Sequence, residues 1–171
     1  MIYKKILFLT IIFGALLASD APNSLGKFKQ ILKVSKLQAP TSHHDKKYGA
    51  KYGKFKNFSN KYFYLKNDSY MIFDMCQNKK EKRRSELRAR DDWSIDTHIP
   101  KTLRAKLKII PYSEQTEFTF LQIHSDGTLK NTPIVNLPLL RIAWRKNYKG
   151  IKNHIWAILR LDPNIITPPI N

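Results

Sequence analysis

The sequence predicts an all-β protein, an antiparallel β-sandwich or jelly roll. From Tyr62 onward, apolar and polar residues alternate with a period of two, which is the pattern of half-buried strands. Turn-forming residues separate these segments, among them Asn67 with Asp68 and Lys149 with Gly150. No helical segment is predicted between the strands, so they are expected to pair directly with one another, as in a sandwich or jelly roll.

The N-terminal residues 1–21 predict a cleaved export signal. Lys4 and Lys5 precede an apolar run at residues 6–18, and small residues suited to cleavage follow it. A membrane span needs about 20 apolar residues, so this shorter run does not predict a stable membrane anchor. We therefore expect a secreted or periplasmic protein whose mature domain is residues 22–171.

The elements of the mature chain follow in order. Residues 28–37 fit a short helix or an early strand, and residues 41–60 predict a long basic loop. In residues 102–109, apolar residues from Leu103 to Ile109 alternate with polar ones, which predicts a half-buried strand. Further strands are predicted at residues 71–76, 84–90, 118–124, 140–145 and 155–161.

The strong positive charge limits the classes of partner. The chain has 171 residues, enough for one domain with a core, and a formal net charge of +18. Such a charge indicates nucleic acid, an anionic membrane surface or an acidic polymer. No nucleic-acid recognition motif is present and export argues against such a role. An acidic polysaccharide, and no nucleic acid, is therefore the predicted partner.

Cysteine and histidine usage predicts neither a disulfide nor a metal site. Cys76 is the only cysteine, so no intramolecular disulfide is possible, and a buried or half-buried thiol is a better interpretation than a nucleophile. His43, His44 and Asp45 lie in the basic loop without a second ligand group at matching spacing.

Two strand segments carry side chains suited to binding and chemistry. Alternation along the first segment places four charged residues on one face, namely Arg84, Glu86, Arg88 and Arg90. Alternation along the second places another four side chains together, namely Phe118, Phe120, Gln122 and His124. Such polar groups are costly to bury without partners, so we expect an open groove that binds a polyanion.

Each segment alone has a simpler interpretation. A run such as KKEKRRSELRAR at residues 79–90 is more often a solvated basic face. A Gln-x-His sequence occurs by accident in many sheets. The two segments therefore predict a function only in combination.

In combination, these segments resemble the alginate lyases of polysaccharide lyase family seven. RSELR at residues 84–88 resembles the arginine-rich motif of that family, and QIH at residues 122–124 resembles its Gln-Ile/Val-His motif. KLQAP at residues 36–40 resembles its opening strand, and residues 62–64 leading to 71–73 resemble the stretch before the arginine motif. The resemblance implies a β-jelly roll that cleaves alginate or a related polyuronate by β-elimination, without a metal or organic cofactor.

The resemblance also implies catalytic roles. Arg84 and Gln122 would bind and neutralise the substrate carboxylate, Arg84 through a fork of two hydrogen bonds. His124 would be the base, because imidazole accepts a proton near neutral pH, or it would share in stabilising charge.

Three further residues would bind substrate. Arg88 would hold a neighbouring uronate, and Glu86 would hold the arginines on either side of it in position. Arg90 would extend the same basic strand and contact the polymer.

One family motif has no match. The family's third motif, Tyr-x-Lys-Ala-Gly-x-Tyr-x-Gln, supplies a catalytic tyrosine, and Tyr112 and Tyr148 do not lie in such a sequence. The chain therefore reads as C-terminally truncated, with a partial jelly roll. Two hypotheses follow: a monomeric exported lyase, or a non-catalytic remnant that binds acidic polysaccharide.

Overall fold

The computed structural model describes residues 21–39, 48–75, 84–90, 98–124 and 138–160. The chain divides into two compact units, Met1–Arg90 and Asp91–Asn171. Within the described residues every strand pairing is antiparallel, and the one α-helix is short. The predicted antiparallel all-β class, consistent with a sandwich or jelly roll, is confirmed. Residues 1–20 of the predicted export signal, the histidine pair and Cys76 lie outside the described residues.

The first unit begins with helical structure. A 3₁₀ turn, Pro22–Ser24, leads into helix α1, Gly26–Lys33, and strand β1 follows at Ser35–Gln38. The segment that fitted a helix or a strand therefore contains both. The helix ends at Lys33, whose charge is favourable at a helix C-terminus, and β-branched Val34 follows it.

Two pairs of short strands complete this unit. Strands β2, Phe63–Lys66, and β3, Tyr70–Phe73, form a hairpin. Asn67 and Asp68 have φ values of 52° and 45° at its turn, the left-handed conformation that tight hairpins require. Strand β4, Glu86–Ala89, pairs with β1.

A small apolar core lies behind these strands. Met71 of β3 and Leu87 of β4 pack against it, while the described part of the predicted basic loop, residues 48–60, wraps it without regular strands. Burial of these side chains holds the short strands together. The buried members of the core are Leu32, Leu37, Ala39, Ala50, Phe55 and Phe63.

The second unit contains a three-stranded sheet in the order β5-β6-β7. The strands are Glu117–His124, Pro138–Tyr148 and Ile151–Leu159. Lys149 and Gly150, with φ values of 50° and 80°, form the tight turn between β6 and β7 that the sequence predicts.

The prediction of a strand at residues 102–109 is wrong. The backbone of residues 101–112 forms no strand, and no described strand pairs with it. Leu103 is 62% exposed and Leu107 is 50% exposed. Alternation shows only that apolar residues recur on one side of an extended chain. A strand also needs a neighbouring backbone to accept and donate its hydrogen bonds.

Candidate functional site

The charged residues of β4 face away from the core because its apolar residue faces toward it. Leu87 lies opposite Leu37 in the β1–β4 pair, and both contact the core. Glu86 and Arg88 alternate with Leu87, so their side chains point to the other side of the pair. The predicted division of this segment into a charged face and an apolar face is therefore confirmed within the strand.

The regular strand is shorter than the predicted segment at both ends. It spans Glu86–Ala89, and Arg84 precedes it. Arg90 lies just beyond it, yet it continues the ladder because its N–H donates to the carbonyl oxygen of Val34 at 2.7 Å.

Arg84 is held by two partners. Its Nη1 lies 3.0 Å from Oε1 of Glu86 and 3.5 Å from Oε1 of Gln38. Gln38, opposite Glu86 on β1, is only 4% exposed, whereas Arg84 and Glu86 are each about one-third exposed. Glu86 therefore contacts Arg84, one of the two arginines that it is predicted to position, and no ion pair joins it to Arg88 in the described part of the chain. The Arg84 side chain remains partly accessible to solvent, as a carboxylate-binding residue requires.

Arg88 and Arg90 are exposed, and neither lies within ion-pair distance of a carboxylate belonging to a described residue. No carboxylate of the described residues therefore neutralises these two positive charges. This contrasts with Arg84, which Glu86 partly neutralises.

A β-bulge interrupts β5 in the second unit. Thr119 lies opposite Ala143, but Leu121 lies opposite Ile142, the adjacent residue of β6. Phe120 is therefore an extra residue on β5, and the alternation of side chains shifts by one position there.

The bulge changes which residues share a face. The ring centroids of Phe118 and Trp144 lie 5.5 Å apart, and those of Phe118 and Phe120 lie 6.3 Å apart, so these aromatic side chains pack together. Gln122 lies opposite Arg141, whose side chain faces the side opposite to Trp144. The prediction that Phe118 and Phe120 share a face with Gln122 is therefore wrong. Alternation read from one strand does not reveal a residue that has no partner on the neighbouring strand.

Gln122 and His124 lie close together in sequence at the end of β5, and both are exposed. A second register shift separates them, because Ile123 lies opposite Leu140 whereas His124 lies opposite Pro138. Strand alternation therefore does not fix a common side for these two side chains. Arg141 lies directly across from Gln122 on the middle strand β6. An amide, an imidazole and a guanidinium group thus occupy neighbouring positions on this sheet.

A carboxylate links two arginines on the same side of the sheet. Oε2 of Glu117 accepts a hydrogen bond from Nε of Arg145 at 2.8 Å, and its Oε1 lies 3.6 Å from Nη1 of Arg141. The sequence interpretation missed Arg141, Arg145 and Glu117. The alternation of Arg141 and Arg145 with apolar residues on β6 was visible, but their partner on β5 lies on the far side of the bulge.

Arg145 lies over an aromatic ring that in turn packs against a second ring. Its guanidinium carbon lies 4.1 Å from the ring centroid of Tyr148, and the Tyr148 ring lies 5.1 Å from that of Trp156. The Arg145 side chain is only 13% exposed. Arg145 is therefore a packing residue, whereas Arg141, with a side chain 28% exposed, retains access to solvent.

The predicted site residues fall into two groups. Arg84, Glu86, Arg88 and Arg90 belong to the first unit, and Gln122 and His124 belong to the second. The structure brings together the members of each group, and the common concave face predicted for both groups stays a prediction.

The described residues contain neither a metal-binding cluster nor a membrane-spanning helix. No group of three or more His, Cys, Asp or Glu side chains is arranged to hold a metal ion within the described ranges. No helix in the same ranges is long and apolar enough to cross a membrane.

Comparison with known proteins identifies the family. A family model described as alginate lyase matches residues 32–168, which include all six predicted site residues. The chain belongs to the alginate lyase family. An alginate lyase from Photobacterium sp. (strain ATCC 43367) is 32% identical over 155 residues, an alignment that covers 81% of this chain and 53% of that protein. The chain thus spans about half the length of this curated alginate lyase.

Proposed function

We propose that the protein is an exported polysaccharide lyase that cleaves alginate or a related polyuronate by β-elimination. Membership of the alginate lyase family supports a lyase reaction. The structural observation that carries the proposal is the exposed pair Gln122 and His124 at the end of β5, with Arg141 directly across from Gln122. These side chains are hydrogen-bond donors and a potential base on an accessible sheet face.

The chemistry of the reaction explains why these residue types are needed. A base must remove the proton on the carbon beside a carboxylate, and the negative charge of that carboxylate opposes the removal. Donors aimed at the carboxylate stabilise the charge that develops in the transition state. In the proposal Arg84 and Gln122 neutralise the carboxylate. His124 takes the proton, or shares in stabilising the developing charge.

Loss of the proton is coupled to cleavage of the glycosidic bond. The electron pair of the broken C–H bond forms a carbon–carbon double bond, and the glycosidic oxygen leaves with its own pair and takes up a proton. The products are a new reducing end and an unsaturated uronate. In the family a tyrosine of the third motif donates the proton to the leaving oxygen, and no matching motif occurs in residues 1–171.

We include Arg141 among the carboxylate-binding residues. Its guanidinium group lies on the same sheet face as Gln122, and Glu117 at 3.6 Å limits the directions in which it can point. A planar fork of donors suits a carboxylate better than a lysine ammonium group does.

The proposal extends to location and partner. The apolar run at residues 6–18 after Lys4 and Lys5 supports export to the periplasm or the medium. The net charge of +18 suits an acidic polysaccharide as substrate.

An absorbance assay for unsaturated uronate ends tests the reaction. The purified protein is incubated with alginate and, separately, with a neutral glucan. We expect absorbance to rise with alginate only, to be lost in His124→Ala and to be retained in His98→Ala, which removes an exposed histidine outside the site. A rise that His124→Ala does not reduce would contradict the proposal.

The alternative is a protein that binds acidic polysaccharide without cleaving it. The exposed Arg88 and Arg90 of the first unit would serve such binding without any catalytic group. No absorbance change with wild-type protein, together with salt-sensitive binding to alginate, would establish it in place of the lyase.

A further inference from the structure

The basic face of β4 continues onto β1. Lys36 lies directly opposite Arg88, so the two side chains share one side of the strand pair. Arg90 follows Arg88 by two positions and shares the same side. Lys36 is half-buried, and the two arginines are exposed. The sequence motif identified only the β4 half of this face.

The aromatic ring of Tyr52 contacts two of these cations. Nζ of Lys36 is 5.2 Å from the ring centroid of Tyr52, and the guanidinium carbon of Arg90 is 5.7 Å from it. The Tyr52 hydroxyl donates to the carbonyl oxygen of Ala89 at 3.4 Å. The ring therefore extends from the β1 side toward β4 over the charged face, and each cation interacts with its π system.

The backbone around Tyr52 is fixed to the free edge of β1. Leu37 and Ala50 exchange two hydrogen bonds, at 2.9 and 3.2 Å, and the N–H of Gly53 donates to the carbonyl oxygen of Ser35 at 3.0 Å. Gly53 has a φ of 69°, a backbone conformation that residues other than glycine rarely adopt. Strand β1 is thus flanked by β4 on one side and residues 50–53 on the other, and Tyr52 is held in place.

Two like charges lie directly opposite each other on this face. Like charges directly opposite each other in an antiparallel pair repel, as Lys36 and Arg88 must. Neither these two nor Arg90 contacts a carboxylate of any described residue. An anion bound over the face would relieve this repulsion. A polymer with one carboxylate per sugar would do so at several positions.

We propose that Lys36, Arg88 and Arg90 form a binding subsite for consecutive carboxylates of an acidic polysaccharide, with Tyr52 as the residue that positions Lys36 and Arg90. The proposal rests on the proposed function for the nature of the polymer, but it does not require catalysis. Tyr52 fixes two flexible cationic side chains before the polymer arrives, which reduces the entropy lost on binding.

Binding of alginate oligomers, measured by calorimetry at low and high salt, tests the subsite. We expect Tyr52→Leu and Lys36→Gln each to weaken binding about three- to tenfold at low salt, because each removes a cation–π contact and the second also removes a charge. Tyr52→Phe keeps the ring and should bind within about twofold of wild type. Lys66→Gln, with the same charge change on the β2–β3 hairpin, is the matched control and should also stay within about twofold.

A double-mutant cycle separates positioning from general charge. Tyr52→Leu should have a smaller effect when Lys36 is already Gln, because the contact that positions Lys36 no longer exists. Thermal unfolding of each variant verifies that the fold is retained. If Lys36→Gln binds no more weakly than Lys66→Gln, or if the two effects are additive, the subsite assignment is overturned.

The outcomes also distinguish this proposal from the proposed function. If the wild-type protein releases no unsaturated ends and Tyr52→Leu binds alginate more weakly than wild type, the lyase is refuted and the subsite is supported. If the wild-type protein cleaves alginate and both Tyr52→Leu and Lys36→Gln bind it as tightly as wild type, the lyase is supported and the subsite is refuted. Tighter binding of single-stranded DNA than of alginate would overturn a polysaccharide as the occupant.

Discussion

Arg141 lies directly across from Gln122 in the β5–β6 ladder, and the two side chains share one side of the sheet. Gln122 alone offers an amide to a carboxylate, whereas the pair adds a guanidinium fork beside it. This juxtaposition leads to a prediction about a residue that no motif singled out.

Arg141→Gln should lower kcat/KM on alginate by about 10- to 100-fold, because a hydrogen bond to a charged group contributes roughly 1.5–3 kcal/mol. Arg141→Lys should recover little of the loss, since an ammonium group cannot form the fork. Arg104→Gln is the control with the same change of charge, because Arg104 is an exposed arginine in residues 101–112, which form no strand. Steady-state kinetics decide the matter, and full activity in Arg141→Gln would remove this residue from the site.

Glu117→Gln should destabilise the protein by about 1–3 kcal/mol, because two guanidinium groups lose their shared carboxylate and that of Arg145 is largely buried. Part of the difference should disappear at high salt, where the exposed Arg141 pair is screened in wild type as well. Urea unfolding measures the change. Glu114→Gln, an exposed glutamate in the same unit, should change stability by less than about 0.5 kcal/mol, and equal effects of the two substitutions would contradict the linking role of Glu117.

Leu37→Ala should cost about 2–5 kcal/mol, because it opens a cavity in the core of the first unit. The matched change Leu103→Ala should cost less than about 0.5 kcal/mol, because that side chain is 62% exposed. Denaturant unfolding of both variants also tests the corrected assignment of residues 102–109. A large loss in Leu103→Ala would mean that this segment is a buried strand after all.

Ser35→Ala should be neutral or stabilising by up to about 1–3 kcal/mol. The hydroxyl of Ser35 is buried on β1, with the residue 1% exposed, and it has no hydrogen-bond partner among the residues that the structure describes. Removing the hydroxyl eliminates a desolvated polar group and leaves only a very small cavity. A lower thermal unfolding midpoint in Ser35→Ala would indicate that the hydroxyl does bond to a neighbour.

The sequence predicted much of the sheet structure because alternation and turn residues are local signals. The turns at Asn67 with Asp68 and Lys149 with Gly150 occur where predicted, since left-handed backbone there favours those residues. β6 and β7 follow their apolar pattern, and the Arg84–Glu86 contact follows from spacing along one strand.

The rest depended on non-local geometry. The bulge at Phe120 is a property of the pairing between β5 and β6, and the sequence of one strand does not encode it. For the same reason the contacts of Glu117 with Arg141, and of Tyr52 with Lys36, were missed. Residues 102–109 have the pattern of a strand but lack a paired neighbour among the described strands.

The pairing of β1 with β4 has a consequence for how the protein folds. β6 and β7 are joined by a two-residue turn and can zip together within microseconds, as hairpins do. Gln38 and Glu86 are far apart in the chain, and their pairing must close a loop that already contains the β2–β3 hairpin. Contacts of high sequence separation form late, because loop closure costs entropy before it gains contacts. We therefore expect the cationic face of β1 and β4 to form after the β6–β7 hairpin, so that a partly folded chain has net charge but no organised binding surface.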